Sequence, residues 1–514
     1  MSSPSTHKLY ASEDIASLNI ARNIGSVKGW HVTGDYITVG TSNDASVFVY
    51  DIALLENPNK ALISVIRSPF NHVSITSVFF DSELKAVFVS YDNHCLCIFD
   101  VHSGEKIGQL RGVNCKQLFV MNHQLLVAHV SSHDSIMTTN TTATNTTRNS
   151  TSPKSSTTTT TTTNRSTCSH PQQSLIQIWS ISTSTTRPPF TQQQHSRTMN
   201  LTLKYSSCLK YSIEISHLSP HTIYLDGNVK KEMPVIVAGF SKSSGGSDRN
   251  DHSKSSGGIL VLYDLLDESD KNNDKYVKSL VFETTPTTNT TNTTTLIHSL
   301  SHHSSQNNKG VYCFSIDQDG DSLDDICMCG LYDGTLMAFN VTQMNPEESR
   351  MNLVFIMDGE GHTSSSNSNS NNNNESPPPP PSQSPPFHNS IECIAFDGTL
   401  KRVVSGGCEG TICVWSFKIE KKTNFTHSTL SFTLIKSHLN IHDGFVTCMT
   451  QCEDKVATGS QDGTIKVFDK MDGSLIYNLD QKHVSCVTHL DFIESHLLLS
   501  SSEDGTIKLH VLTK

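Results

Sequence analysis

The sequence predicts an all-β chain assembled from a repeated four-stranded antiparallel unit. Three observations predict it. The phrase DGTIK stands at both 462–466 and 504–508. Hairpin-like segments of the same pattern recur along the chain, and a further short apolar run precedes or follows most of them. Asp-Gly supplies a residue that takes positive φ at little cost, as a tight hairpin turn requires. The residues after it are β-branched and aromatic types that suit a pleated surface.

Taken in order, the hairpins are YITVGTSNDASVFVYD from 36, AVFVSYDNHCLCIFD from 86, LLVAHV from 125 resuming as SLIQIW from 174, and VIVAGF from 235 resuming as GGILVLYD from 257. They continue as ICMCGLYDGTLMAF from 326, VVSGGCEGTICVW from 403, VATGSQDGTIKVFD from 456 and LLLSSSEDGTIKLHV from 497. Each has a marker near its end: Tyr50, Phe99, Trp179, Tyr263, Phe339, Trp415, Phe468 and His510. Preceding strands are read in SITSVFFD, SIECIAFD, GFVTCMTQ and SCVTHLDF, and following strands in ALISVI, YVKSLVFE and NLVFIM. The two closest markers are 42 residues apart, within the period of one β-propeller blade. A lone four-stranded sheet cannot bury both faces, whereas radial packing of such sheets does.

Five tracts rich in Thr, Ser, Asn and Gly fall outside the repeat: 132–173, 182–198, 241–257, 284–309 and 359–388. Such composition cannot bury enough apolar surface to offset its ordering entropy, so disordered insertions are expected. Removing them leaves roughly 48 residues per unit for eight blades or about 55 for seven, which favours eight. The last hairpin is followed by only three residues, Leu512 to Lys514. Its outer strand is therefore expected from IASLNIAR, residues 15–22. The expected organisation is a flexible segment 1–14 and a single propeller over 15–514.

The chain resembles the WD-repeat β-propeller family. The resemblance rests on the hairpin phrase, on Asp after the marker (Asp51, Asp100, Asp264, Asp469) and on His before the first strand of a unit (His72, His388, His442, His483). The family's hydrogen-bonded His–Ser/Thr–Asp–Trp set maps onto His388, Ser405, Glu409 and Trp415, with Glu in place of Asp. In the next unit it maps onto His442, Thr458 and Asp462, with Phe468 in the Trp position. The dipeptide Trp-Asp does not occur. Since these His, Ser/Thr and Asp residues repeat from unit to unit, they read as architecture rather than as a hydrolase triad, which is needed once.

Bulk composition excludes several functions. The net charge is -11 and no dense basic run occurs, against a nucleic-acid surface. No apolar run approaches the ~18 residues of a membrane span. The N-terminal twenty residues show no apolar signal core, so a cytoplasmic or nuclear chain with reduced thiols is expected. The pairs Cys95/Cys97 and Cys327/Cys329 read as small core residues on one strand face rather than zinc ligands. No phosphate-binding Gly loop, Ser elbow or His-Glu-x-x-His is present.

One segment suggests a metal. In SIDQDGDSLDDICMCG, the residues Asp317, Asp319, Asp321 and Asp325 occupy positions 1, 3, 5 and 9 of an acidic loop. That spacing suits one hard cation, and a single structural calcium ion is the expected cofactor. Met328 stands where an EF-hand has Glu; the loop resembles that of integrin-type FG-GAP propeller repeats, with Ser322 in a usual Gly position. The alternative is an acidic turn capping its own amides.

The functional expectation is a non-enzymatic protein–protein interaction scaffold or complex subunit, monomeric by itself, with partner identity and partner-binding residues undetermined. A substrate-recognition subunit of a ubiquitin ligase is a narrower alternative. A propeller enzyme is the alternative from another class. Fold alone does not choose among them.

Overall fold

The computed structural model describes residues 16–21, 24–42, 44–55, 57–132, 173–186, 196–206, 213–225, 231–242, 256–262, 277–281, 311–316, 326–331, 334, 336–345, 350–357, 388–421, 428–479 and 483–512. These residues form eight four-stranded antiparallel sheets. In chain order they span 27–66, 75–111, 115–206, 213–281, 311–357, 391–438, 446–479 and 487–511. Sheets one to seven are simple meanders, with consecutive strands paired in order. Sheet eight takes its outer strand from Ala16–Ala21, which pairs antiparallel with Ile507–Val511. All eight sequence hairpins are the second and third strands of these sheets.

The chain divides into two compact units. One holds 28–50 and 62–212, that is, sheets one to three. The other holds 1–27, 51–61 and 213–514, with sheets four to eight.

Within each unit the apolar cores lie between sheets. In the first unit, Val47, Val49 and Ile66 of sheet one pack with Val78, Phe80, Val87 and Phe99 of sheet two. Phe88 and Ile98 of sheet two pack with Leu126, Trp179 and Met199 of sheet three. In the second unit, Trp415 and Phe417 of sheet six join Ile326 and Met328 of sheet five. Phe468 packs with Val404 and Val414 of sheet six, and Ile465 and Val467 with Leu490 and Leu498 of sheet eight. The second strands are thus covered on both faces. All six residues of Ala86–Tyr91 and of Lys455–Ser460 are buried. This is why these strands read as continuous apolar and small residues instead of alternating.

A wedge recurs at the sheet-to-sheet contacts. The first residue of a sheet's first strand (Ile75, Ile391, Val446 or Val487) is buried against a glycine in the second strand of the preceding sheet. The glycines are Gly40, Gly330, Gly406 and Gly459. A Cβ at Gly406 would stand 2.8 Å from Val446 Cγ1, and one at Gly459 would stand 2.7 Å from Val487 Cγ1. Between sheets two and three both partners change size together. Ser90 takes the glycine position and the smaller Cys115 the wedge position, with the Cys115 N–H donating to Ser90 Oγ at 3.0 Å. The carbonyls of Ile391, Val446, Val487 and Cys115 each also accept a side-chain bond from the preceding sheet. The donors are Cys313 Sγ to Ile391 O at 3.6 Å, Cys393 Sγ to Val446 O at 3.8 Å and Cys448 Sγ to Val487 O at 3.7 Å. Thr76 Oγ1 donates likewise to Cys115 O at 2.8 Å. Burial pushes these three thiols up, Cys448 to about 12, which keeps them protonated donors. Every cysteine among the described residues is a free thiol.

The 182–198 tract departs from expectation at its edges. Ser182–Thr186 pairs with Ser196–Asn200 through the ladder of the long third and outer strands of sheet three. Thr and Ser are tolerated there because they are β-compatible on a solvent-facing ladder. The remaining tracts lie mostly outside the described residues. Among the described residues no helix is long and apolar enough to cross a membrane.

The wedge makes a testable claim. Gly406→Ser is expected to destabilise the protein by ~1–3 kcal/mol through overpacking. Adding Val446→Cys, which recreates the Ser90/Cys115 pairing, should recover part of that loss. Denaturant unfolding of both single variants and the double variant measures the coupling, expected to exceed about 0.5 kcal/mol.

Candidate partner-binding surface

Sheets six, seven and eight share one construction at the end carrying the Asp-Gly or Glu-Gly turns. In sheet six, Trp415 has only an indole N–H to offer, and donates it to Ser405 Oγ at 3.1 Å. The Ser405 hydroxyl then donates to His388 Nε2 at 2.9 Å. The imidazole proton is left on Nδ1, facing Glu409 Oε1 at 2.6 Å. The second Glu409 oxygen accepts the Asn389 N–H at 3.1 Å. The four residues mapped in the sequence therefore form one chain of hydrogen bonds.

In sheet seven His442 Nε2 meets Thr458 Oγ1 at 2.9 Å. Its Nδ1 meets Thr464 Oγ1 at 2.7 Å, while Asp462 Oδ2 is 3.9 Å away. Asp462 instead accepts both the N–H and the hydroxyl of Thr464 and the N–H of Asp443, at 2.8, 2.7 and 2.7 Å. The threonine of DGTIK is thus an intermediary that the sequence mapping missed. The repetition of Thr at 464 and 506 was the available signal.

Sheet eight contains a set that the mapping did not assign. His483 Nδ1 faces Asp504 and Thr506 Oγ1 at 3.3 and 3.0 Å, and Nε2 meets Ser500 Oγ at 2.7 Å. His510 stands in the Trp position and completes the chain, its Nε2 2.8 Å from Ser500 Oγ. Unlike Trp, it has a second ring nitrogen. That Nδ1 reaches Ser17 Oγ on the N-terminal strand at 2.8 Å. Asp504 also accepts the Val484 N–H at 2.9 Å.

The turn glycines link one set to the next. Gly410, Gly463 and Gly505 have φ of +74°, +82° and +76°. A Cβ at Gly463 would stand 2.6 Å from the His483 carbonyl of the next sheet, and the His442 N–H donates to Gly410 O at 3.2 Å. Asp51, Asp100 and Asp469, after the markers, do a different job. They accept amides two residues on, such as Ala53 N–H at 2.9 Å and Met471 N–H at 2.6 Å, and so turn the chain out of the third strand. Asp264 lies outside the described residues. His72 departs from the mapping: it is exposed at φ +57°, whereas His388, His442 and His483 are 1–3% exposed.

Ser405, Thr458 and Ser500 are fully buried, so the His–Ser–Asp geometry holds loops and presents no hydroxyl to a substrate. The held loops instead carry exposed apolar groups: Leu439 at 66%, Phe445 at 50% and Val484 at 93%. Phe445 O accepts the Gln461 N–H at 2.9 Å. Glu409, Asp443, Asp462, Glu503 and Asp504 lie in the same loops and turns, whose described residues include no lysine or arginine. Burial raises Glu409, Asp462 and Asp504, but hydrogen bonds from the neighbouring His, Thr and backbone donors hold all three below the usual carboxylate range. The described residues of this surface are therefore anionic with apolar projections.

Asp317, Asp319, Asp321 and Asp325 lie outside the described residues. Among the described residues no cluster of three or more His, Cys, Asp or Glu has metal-binding geometry.

Comparison with known proteins agrees with this construction. The family model "WD domain, G-beta repeat" matches residues 381–416, 432–469 and 473–510, the units whose networks are described above. Residues 381–510 therefore carry repeats of the WD type, and the eight four-stranded sheets support a WD-repeat propeller fold. Two solved structures share the fold. Sqt1 of Saccharomyces cerevisiae is 9% identical with a TM-score of 0.52, covering 99% of this chain and 100% of its own. The Dos1 propeller is 10% identical with a TM-score of 0.50, covering 97% of this chain and 94% of its own. No curated protein sequence matches.

Two outcomes are expected of these networks. Burial holds His483 of these networks down to about 4 from an ordinary 6.5, and does the same to His31, His129 and His489 in the strands of sheets one, three and eight. The unfolded chain therefore takes up protons first, so their stabilising contribution is complete above pH 6.5 and is lost as pH falls towards about 4. Urea midpoints should be flat just above that window and decline steadily through it. Separately, Ser17→Ala and His510→Phe should each cost ~0.5–1.5 kcal/mol. Because both break the same Ser17–His510 bond, the double variant should cost less than their sum.

Proposed function

We propose that this protein is a non-enzymatic interaction scaffold whose loop end on sheets six to eight receives a basic, apolar segment of a partner protein. The observation that carries this reading is the contrast within those loops. Their backbones are fixed by buried His–Ser/Thr–carboxylate chains, while Phe445, Leu439 and Val484 remain exposed. Apolar groups held out on an ordered backbone lose little entropy when covered, which favours their use as anchors. The surrounding carboxylates select cationic partners and speed encounter. The repeat family's general role in protein binding supports the same reading.

A substrate-recognition subunit of a ubiquitin ligase is a narrower form, distinguished by whether ligase components are among the bound chains. A catalytic reading would require ionisable groups open to substrate, and the repeated His–Ser–Asp sets are closed to it.

The test compares tagged full-length protein with a Phe445→Ser/Val484→Ser variant, purified from the native cells. The exposed positions predict an unchanged unfolding midpoint. A stoichiometric partner of the parent protein should be reduced at least tenfold in the variant and released by moderate salt. Retention of every stoichiometric partner by the variant would refute this surface as the binding site.

A further inference from the structure

The outer strand of sheet one, Leu62–Ile66, has the sequence LISVI. Leu62, Ile63 and Val65 are 38%, 38% and 43% exposed, while Ile66 is 1% exposed. A strand at a sheet edge presents unpaired backbone donors and acceptors, and proteins ordinarily protect it with charge, proline or burial. The outer strands of sheets two and seven follow that rule. Lys106–Arg111 of sheet two carries exposed charges at both ends and buries Ile107. Leu475–Leu479 of sheet seven buries Ile476, Tyr477 and Leu479. Leu62–Ile66 has no charge or proline, and among the described residues no strand pairs with its free side.

Charge flanks this edge rather than interrupting it. Lys60 lies two residues before the strand and Arg67 directly after it, and both are exposed. Antiparallel pairing of two copies centred on Ser64 would set Arg67 of each opposite Ala61 of the other, next to Lys60 in the short helix Pro58–Ala61, and so bring like charges close at both ends of the paired strands. The pattern thus opposes self-association and selects a different partner.

We propose that Leu62–Ile66 is a strand-addition site for an extended segment of a partner protein, with alternating apolar residues and acidic residues at its two ends. Backbone hydrogen bonds would supply the pairing, and Ile63 and Val65 with the two flanking cations would set register and selectivity. The site shares no residue with the loop end of sheets six to eight.

The probes are two capped synthetic heptapeptides, Glu-Val-Thr-Val-Thr-Val-Glu and its counterpart with lysine at both ends. Binding to the full chain is followed by fluorescence anisotropy, and amide exchange reports on 62–66. The acidic-ended peptide is expected to bind at least about tenfold more tightly than the basic-ended one and to slow exchange within 62–66. Ile63→Ser/Val65→Ser should abolish that binding, whereas Phe445→Ser should leave it unchanged. Four results would overturn the proposal. They are no binding of the acidic-ended peptide, equal binding of both peptides, binding that survives Ile63→Ser/Val65→Ser, or a dimer of the parent protein that this variant dissolves.

Discussion

The contact on which the rest depends is the wedge between successive sheets. A β-branched residue that opens one sheet enters the space left by a missing Cβ in the sheet before it. Neither sheet can bury its faces alone, so this contact fixes their spacing and carries the cores built around it. Its consistency is physical rather than literal. Where Ser90 replaces glycine, the wedge shrinks from Ile or Val to Cys115, and a hydrogen bond of 3.0 Å takes over part of the packing. The space is shared, so one partner sets the size of the other.

The hydrogen-bonded chains at the turns extend the same order to the loops. In each, a buried hydroxyl sits between two donors or acceptors, and a carboxylate gathers the backbone amides of the loop above it. The final donor varies among Trp415, Phe468 with no donor, and His510. The histidine gains a nitrogen that Trp lacks, and that nitrogen reaches the N-terminal strand. A substitution that looks like decay of the repeat therefore adds a tie between residues 493 positions apart in the chain. A rigid backbone with exposed Phe445 and Val484 is the consequence for function.

The hairpins were legible in the sequence because Asp-Gly turns and β-branched strands are local signals. The pairing of residues 16–21 with the last strand was legible for a different reason, since the last unit lacked chain for its own outer strand. The chain through His388, Ser405, Glu409 and Trp415 was readable from the family pattern. The set in sheet eight was not, because His510 does not look like a Trp replacement until its two nitrogens are placed. Thr464 was hidden similarly, since its hydroxyl acts through space rather than through a motif position. The wedge was invisible because glycine in a strand reads as a turn or a weak point until the neighbouring sheet is known. His72 satisfied the sequence spacing but lies at a positive φ that turns it to solvent. The exposure of Leu439, Phe445 and Val484 also required the fold, since exposed and buried apolar residues look alike in a sequence.

The central claim is that the surface on sheets six to eight is ordered before any partner arrives. Amide hydrogen exchange on the free protein tests it most directly, at Asn389, Asp443 and Val484, whose N–H groups are held by Glu409, Asp462 and Asp504. The account predicts slow exchange at these three amides, close to that of the adjoining strands, despite their position in loops. Exchange at the rate of an unstructured peptide would contradict it, and would mean that the loops acquire their form only on binding.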